Sequence, residues 1–123
     1  MVELGVSYNK GPIQIKDIAT THSIPQHYLE QLLVTLKKAG LVQSFRGAAG
    51  GYALAKNPNQ IKIMQILTYL DGKVEIVPDK RRNNVLSFFW DTLESNTKEL
   101  LEISLEELIL EKQSVEKTYI YNI

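Results

Sequence analysis

The sequence predicts a mainly α-helical chain that carries one small β-hairpin. Three observations support that reading. Residues 25–40, PQHYLEQLLVTLKKAG, repeat apolar side chains at spacings of three and four, the period of one helix face. Two short β-type runs, LVQSF (41–45) and YALA (52–55), flank the glycine-rich RGAAGG, the pattern of a hairpin around a loop. From Val85 onward, VLSFFWDTLESNTKELLE places Leu86, Trp90, Leu93, Thr97 and Leu100 at alternating steps of four and three, with Phe89 widening the stripe.

Each element has its own signals. Residues 2–8 read as closing helical turns, stopped by Gly11-Pro12. Residues 13–21 follow with Ile15, Ile18 and Ala19 at helical spacing, then His22, Ser23 and Ile24 as a turn, with His22 read as a solvated turn residue. Pro25 suits a first helical position, where its missing N–H costs nothing. In 25–39, Tyr28, Leu29, Leu32, Leu33 and Leu36 form the expected buried stripe. Lys37 and Lys38 fall in the last turn, where cations favour the helix dipole, and Gly40 supplies a left-handed stop. In a helix over 61–72, Ile63, Ile66, Leu67 and Leu70 share a face, and Gly72 is the cap. Ser104 and Glu107 are spaced as a capping box opening a last helix, whose tail from Ser114 is expected to fray or to pack on a neighbour. KVEIVPDKRRNN (73–84) loses periodicity and reads as a linker. The expected division is therefore 1–72, a linker at 73–84, and 85–123.

Composition narrows the function classes. An apolar fraction of 44% is ordinary for a globular chain. No apolar run approaches the ~18–20 residues of a membrane span, and no secretory leader is visible, so a cytoplasmic location is expected. With no cysteine there is no disulfide, thiolate nucleophile or Cys-held metal, and two histidines do not make a metal site. No catalytic set of Ser/His/Asp or Cys/His type is present, so neither an enzyme nor a cofactor is expected. Net charge is zero but uneven. Residues 1–56 hold six Lys/Arg against three Asp/Glu, a balance of +3; residues 57–123 hold eight against eleven, a balance of −3. A basic half suits a polyanion, and an acidic half suits a separate partner.

The glycine loop could hold a nucleotide or a nucleic-acid phosphate. A Walker loop needs a Lys-Ser/Thr and a following helix, and a dinucleotide turn also opens a helix; here a second strand follows. The order helix, helix, turn, helix, strand, loop, strand, helix is that of a winged helix-turn-helix with the hairpin as wing.

PQHYLEQLLVTLKKAGLVQSFRGAAGGYALAK resembles the signature of the IscR/NsrR/CymR family of bacterial winged-helix transcription regulators, and the likeness runs through residues 13–72. ISLEEL (103–108) resembles the end of that family's dimerisation region. The resemblance implies a homodimeric regulator, a repressor, on double-stranded DNA. Its site would be palindromic and A·T-flanked, with helix 25–39 in the major groove and the wing at the minor groove. By position, Tyr28, Glu30 and Gln31 match family residues that face DNA, His27 replaces a small polar one, and Arg46 matches the wing arginine. Gln26 lies on the same outward side. A cation suits the narrow, negative minor groove of A·T-rich DNA, while Glu and Gln can pair with cytosine and adenine edges. Gly47, Gly50 and Gly51 permit positive φ and, lacking side chains, let the backbone approach phosphate closely. Leu86, Phe89, Trp90, Leu93, Thr97 and Leu100 are the expected dimer seam.

The chain departs from that family pattern in three places. It lacks the three cysteines that hold an iron–sulfur cluster in many members, so it resembles the cluster-free branch. Its first helix is shorter by roughly twelve residues, about three turns, which would leave part of the core bare. Pro25 stands where the family often has a capping Ser. An effector, a protein or a small molecule, would act near the linker between the 61–72 helix and the long helix. The shortened helix and neutral charge also suit an alternative, a winged-helix interaction module that no longer binds DNA.

Overall fold

The computed structural model describes residues 1–72 and 85–121. The expectation of a linker at 73–84 lies outside the described residues. The described elements are helices α1 (Val2–Val6), α2 (Ile15–Thr21) and α3 (Gln26–Lys38), strands β1 (Val42–Phe45) and β2 (Gly51–Leu54), and helices α4 (Ile63–Asp71), α5 (Ser87–Leu100) and α6 (Leu105–Tyr121). A short 3-10 turn, Pro58–Gln60, lies between β2 and α4. The chain is mainly helical with a two-stranded antiparallel sheet, as its sequence predicts.

One apolar cluster joins helices α1 to α4, the hairpin and α6, and takes no residue from α5. Ile18 and Ala19 from α2, Leu29, Leu33 and Leu36 from α3, and Leu41, Val42 and Leu54 from the hairpin are buried with Ile61 and Ile66. Leu4 of α1 and Leu105 and Ile109 of α6 belong to the same cluster, so the first turns of α6 close the core of the N-terminal half. Burial of a large aliphatic side chain is worth ~1.5–3 kcal/mol, so each of these residues is a large fraction of a small protein's net stability.

The start of α6 is held by backbone. Leu105 N–H donates to Ile61 O at 2.7 Å and Ile63 N–H to Ile103 O at 3.0 Å. One half of the expected capping box is seen: Ser104 Oγ accepts from Glu107 N at 3.0 Å. Of the two expectations for the tail, fraying or packing on a neighbour, the first needs correction, because α6 continues to Tyr121. An i,i+4 ion pair between Lys112 and Glu116 supports this second half, whose residues 111–120 are exposed.

The helix α3 ends in a Schellman motif. Gly40 takes φ +80°, Gly40 N–H donates to Lys37 O, and Leu41 N–H donates to Leu36 O. That motif turns the chain sharply into β1 and places Leu41 in the core. At the other end, Pro25 is the residue before the first helical one, not the first helical position, and no side chain caps the helix. The preceding turn holds Ser23 at φ +54°, the one non-glycine residue with positive φ among the described residues.

A cavity of about 280 Å³ lies beside α1, lined by Leu4, Ile18, Ile24, Leu29 and Leu33 together with Met1 and His22. The reading of His22 as merely solvated is incomplete. Its Nε2 lies 3.3 Å from Glu3 Oε1 and ties the end of α2 to α1. The Met1 amine is buried, and desolvation holds its pKa below the usual 8.0, partly offset by the Glu3 carboxylate.

Candidate nucleic-acid interface

The helix α3 presents two unlike faces. Leu29, Leu33 and Leu36 are buried, while His27, Glu30 and Gln31 are exposed on the other side; Gln26, in line with Leu29 and Leu33, is exposed because it opens the helix. Tyr28 was expected in the buried stripe, and the structure corrects this: it is 56% exposed. At about 100° per residue, position 28 lies roughly 100° from the line through Leu29, Leu33 and Leu36, outside the stripe. Leu32 lies on the flank and is half-buried. Tyr28 thus joins the outward face that includes Glu30 and Gln31. On that face, Gln31 Nε2 and His27 Nε2 are 3.3 Å apart, one helical turn removed.

The wing is a hairpin in register Val42↔Leu54, Gln43↔Ala53, Ser44↔Tyr52 and Phe45↔Gly51. Arg46 and Gly47 are exposed in the loop that joins its strands. The three glycines serve different needs. Gly47 and Gly51 have φ of +96° and +139°. Gly50 does not use its freedom of φ; it is buried, and a Cβ there would meet Phe45 O at 2.4 Å. A Cβ on Gly51 would stand 2.3 Å from Ile13 O. That close approach arises because Ile13 pairs with Tyr52 as a one-residue third strand, through bonds of 2.9 and 2.8 Å.

Two side-chain contacts fix the wing relative to the helices. Lys37 Nζ donates to Ser44 Oγ at 2.7 Å, joining the last turn of α3 to β1. Gln14 Nε2 donates to Ala48 O at 3.2 Å, joining the start of α2 to the loop. Sequence reading assigned Lys37 to the helix dipole and gave Gln14 no role. No local pattern could have found either contact, because each depends on how the hairpin folds back. Between the start of α2 and the wing lies a cleft of about 310 Å³, lined by Gln14, Lys16, Ser44, Arg46, Gly51 and Tyr52 among others.

The six seam residues all fall at or on α5. Leu86 precedes its first helical residue, and Leu86, Phe89, Leu93 and Leu100 are exposed, Phe89 at 51% and Leu100 at 70%. Trp90 is half-buried and meets Phe89 edge to face at 5.1 Å between ring centroids. Thr97 is half-buried, its hydroxyl donating to Leu93 O at 2.8 Å. The buried position of α5 is Glu94, whose carboxylate pairs with Lys98 at 2.8 Å.

Residues 1–111 match the model of the Rrf2 family, described as iron-dependent transcriptional regulators. This chain belongs to the Rrf2 family. Its relatives include the HTH-type transcriptional regulator CymR of Bacillus subtilis, 35% identical over 131 aligned positions spanning 100% of this chain and 91% of that protein. A second is the HTH-type transcriptional regulator IscR of Pectobacterium atrosepticum, 31% identical over 121 positions, or 92% of this chain and 74% of that protein. An HTH-type relative from Synechocystis is 41% identical over 93 residues, 76% of this chain, an alignment that spans 63% of that protein. The fold matches solved structures of B. subtilis CymR (TM-score 0.74, 37% identity, 88% of this chain and 85% of that one) and T. potens IscR (TM-score 0.78, 33% identity, 93% and 80%). The chain is therefore a winged helix-turn-helix, DNA-binding transcriptional regulator rather than an enzyme.

The family description implies iron, and the donor set of this chain does not suit it. There is no cysteine; His27 points outward on α3, and His22 is placed against Glu3. Among the described residues, no three His, Asp or Glu gather where an ion could be held. The 73–84 sequence adds only Glu75 and Asp79, with no His or Cys. Among the described residues, no helix is long and apolar enough to cross a membrane.

Proposed function

We propose that this Rrf2 protein is a homodimeric, sequence-specific repressor that acts in the cytoplasm on a palindromic, A·T-flanked duplex site and needs no iron–sulfur cluster. The observation that carries the reading is the tie between α3 and the wing. The Lys37–Ser44 bond fixes the helix that offers Gln26, His27, Tyr28, Glu30 and Gln31 at one distance from the loop that offers Arg46. A rigid helix with a rigid wing can engage a major groove and the neighbouring minor groove together without ordering cost at binding.

In this reading Glu30 and Gln31 meet base edges, where Glu accepts from cytosine N4 and Gln pairs with adenine. Tyr28 and Gln26 fix the position of the helix, and Arg46 enters the minor groove. Gly47, Gly50 and Gly51 keep the wing thin enough to enter beside the backbone. Residues 1–72 form the DNA unit, and 85–123 the unit that meets a second copy through Leu86, Phe89, Trp90, Leu93, Thr97 and Leu100. Two copies related by a two-fold axis read two half-sites, which is why the site is palindromic. A dimer seated there blocks that stretch to other proteins, which makes repression the direct consequence. An effector, protein or small molecule, would act through the segment joining the two units.

The test is selection from randomised duplex DNA, followed by salt-titrated binding to the enriched sequence and in vitro transcription from a promoter carrying it. A palindromic motif, an affinity that falls steeply with salt and reduced transcript are expected. Enrichment of a single half-site would remove the dimer, binding without enrichment would remove base reading, and unchanged transcript would remove repression.

A further inference from the structure

We propose that the cleft between α2 and the wing seats one phosphodiester group of the DNA backbone, with Lys16 as its cation; this rests on the DNA-binding reading above. The cleft has the right chemistry. Lys16 and Arg46 both line it, no Asp or Glu does, and among the described residues neither cation has a carboxylate partner. Two neutral donors stand beside them. Gln14 uses one amide N–H on Ala48 O and keeps a second, since a side-chain amide carries two. Ser44 Oγ accepts from Lys37, which leaves its own O–H free to donate and polarises it toward an anion.

The cleft is also built before any ligand arrives. Its two walls are joined by the Ile13–Tyr52 pair at 2.9 and 2.8 Å and by Gln14 to Ala48 at 3.2 Å. They meet so closely at Gly51 that a Cβ there would strike Ile13 O at 2.3 Å. Donors on such a frame need little reorganisation to meet a phosphate oxygen. The position is consistent with a backbone contact rather than a base contact. With Arg46 at the loop directed to the minor groove, the cleft behind it faces the strand that borders that groove. Lys16 then fixes how deep the wing enters and carries no sequence preference.

The test is fluorescence anisotropy of a labelled A·T-rich duplex across a salt series, with wild-type protein, Lys16→Gln, Lys16→Arg and Lys10→Gln. Lys10 is exposed and lines a different cavity, beside α6, so its variant is the control. Each phosphate neutralised contributes about 0.9 to the slope of log K against log salt. Lys16→Gln is expected to lower that slope by about 0.9 and the affinity at 0.1 M salt by about five- to tenfold. The loss should be equal across sequences, Lys16→Arg should restore the slope, and Lys10→Gln should leave it unchanged. A slope for Lys16→Gln equal to wild type overturns the phosphate seat, whatever happens to affinity. Should wild-type protein bind no duplex, the DNA reading itself falls. Inorganic phosphate then decides the seat: shifts of the Gly47, Gly50 and Gly51 amide signals that vanish in Lys16→Gln keep it as a site for free phosphate, and no shift removes it.

Discussion

The helices α3 and α5 have nearly the same length and opposite economies of burial. The helix α3 buries Leu29, Leu33 and Leu36 and exposes its polar side chains. The helix α5 buries Glu94 and exposes Phe88, Phe89, Leu93 and Leu100. Both carry an apolar stripe at steps of three and four, so periodicity alone does not distinguish them. The difference is what each stripe meets. For α3 it meets α2, the hairpin and α4 of its own chain, while for α5 much of it faces outward. A stripe of this size left open is the mark of an interaction surface. The first 72 residues hold most of the core, closed by Leu105 and Ile109, while apolar side chains of α5 and of the second half of α6 are left exposed.

The most severe way to break that contrast is a charge on the open stripe. Phe89→Glu places a carboxylate where the proposed dimer excludes water. Sedimentation should show a shift from dimer to monomer, and affinity for a palindromic site should fall by about a hundredfold or more, as two linked half-sites become one. The fold should survive, because Phe89 is outside the core cluster, and circular dichroism checks that. An unchanged dimer would move the interface to Leu110, Val115 and Tyr119 on α6, which are also exposed.

A smaller effect is expected from the first half. Arg46→Ala removes an exposed cation whose loss leaves the wing backbone intact. Its duplex affinity should fall by about tenfold, the cost of one charge-assisted contact of ~1.4 kcal/mol, and the fall should be larger for A·T-rich flanks than for G·C-rich ones. Equal loss on both would assign Arg46 to phosphate rather than to groove shape.

The contrast also explains what the sequence could reveal. The α3 stripe, the Gly40 stop, the hairpin and the Ser104 cap are local, because each is set by residues within one or two turns. Tyr28 lies roughly 100° off the buried line, so the helical period itself excludes it; the step of four that joins it to Leu32 runs along the flank of the stripe. The need for glycine at position 50, a clash of any Cβ with Phe45 O, is visible only once the loop closes. The burial of Leu105 and Ile109 with Leu4 joins residues a hundred positions apart. Polar ties across elements, Lys37–Ser44 and Gln14–Ala48, were invisible for the same reason.

The Lys37–Ser44 tie gives a subtler test of the first half. Lys37→Met should weaken duplex binding by about threefold, as expected when an exposed hydrogen bond worth ~0.5–1 kcal/mol is lost, and Ser44→Ala by at least as much, because its hydroxyl also faces the proposed phosphate seat. The double variant should be no worse than Ser44→Ala alone, because Lys37 acts only through that hydroxyl. The additive loss of two independent contacts would instead place Lys37 directly on DNA.

The smallest effect is a pH dependence, and it probes the cavity beside α1. The Met1 amine is buried there, and its folded pKa is below the usual 8.0. Well below the folded pKa, both folded and unfolded chains hold the proton, and the folded state bears the cost of a buried charge. Between the folded value and 8.0 the unfolded chain holds the proton and the folded chain does not, so the unfolded state binds more protons and stability rises with pH. Above 8.0 neither is charged and the curve flattens. Thermal melting should therefore show a midpoint that climbs toward pH 8.0 and then levels, with a smaller climb in protein whose N-terminal amine is acetylated. Identical profiles for the two forms would mean that the amine is solvated in both states and that the cavity beside α1 admits water to its edge.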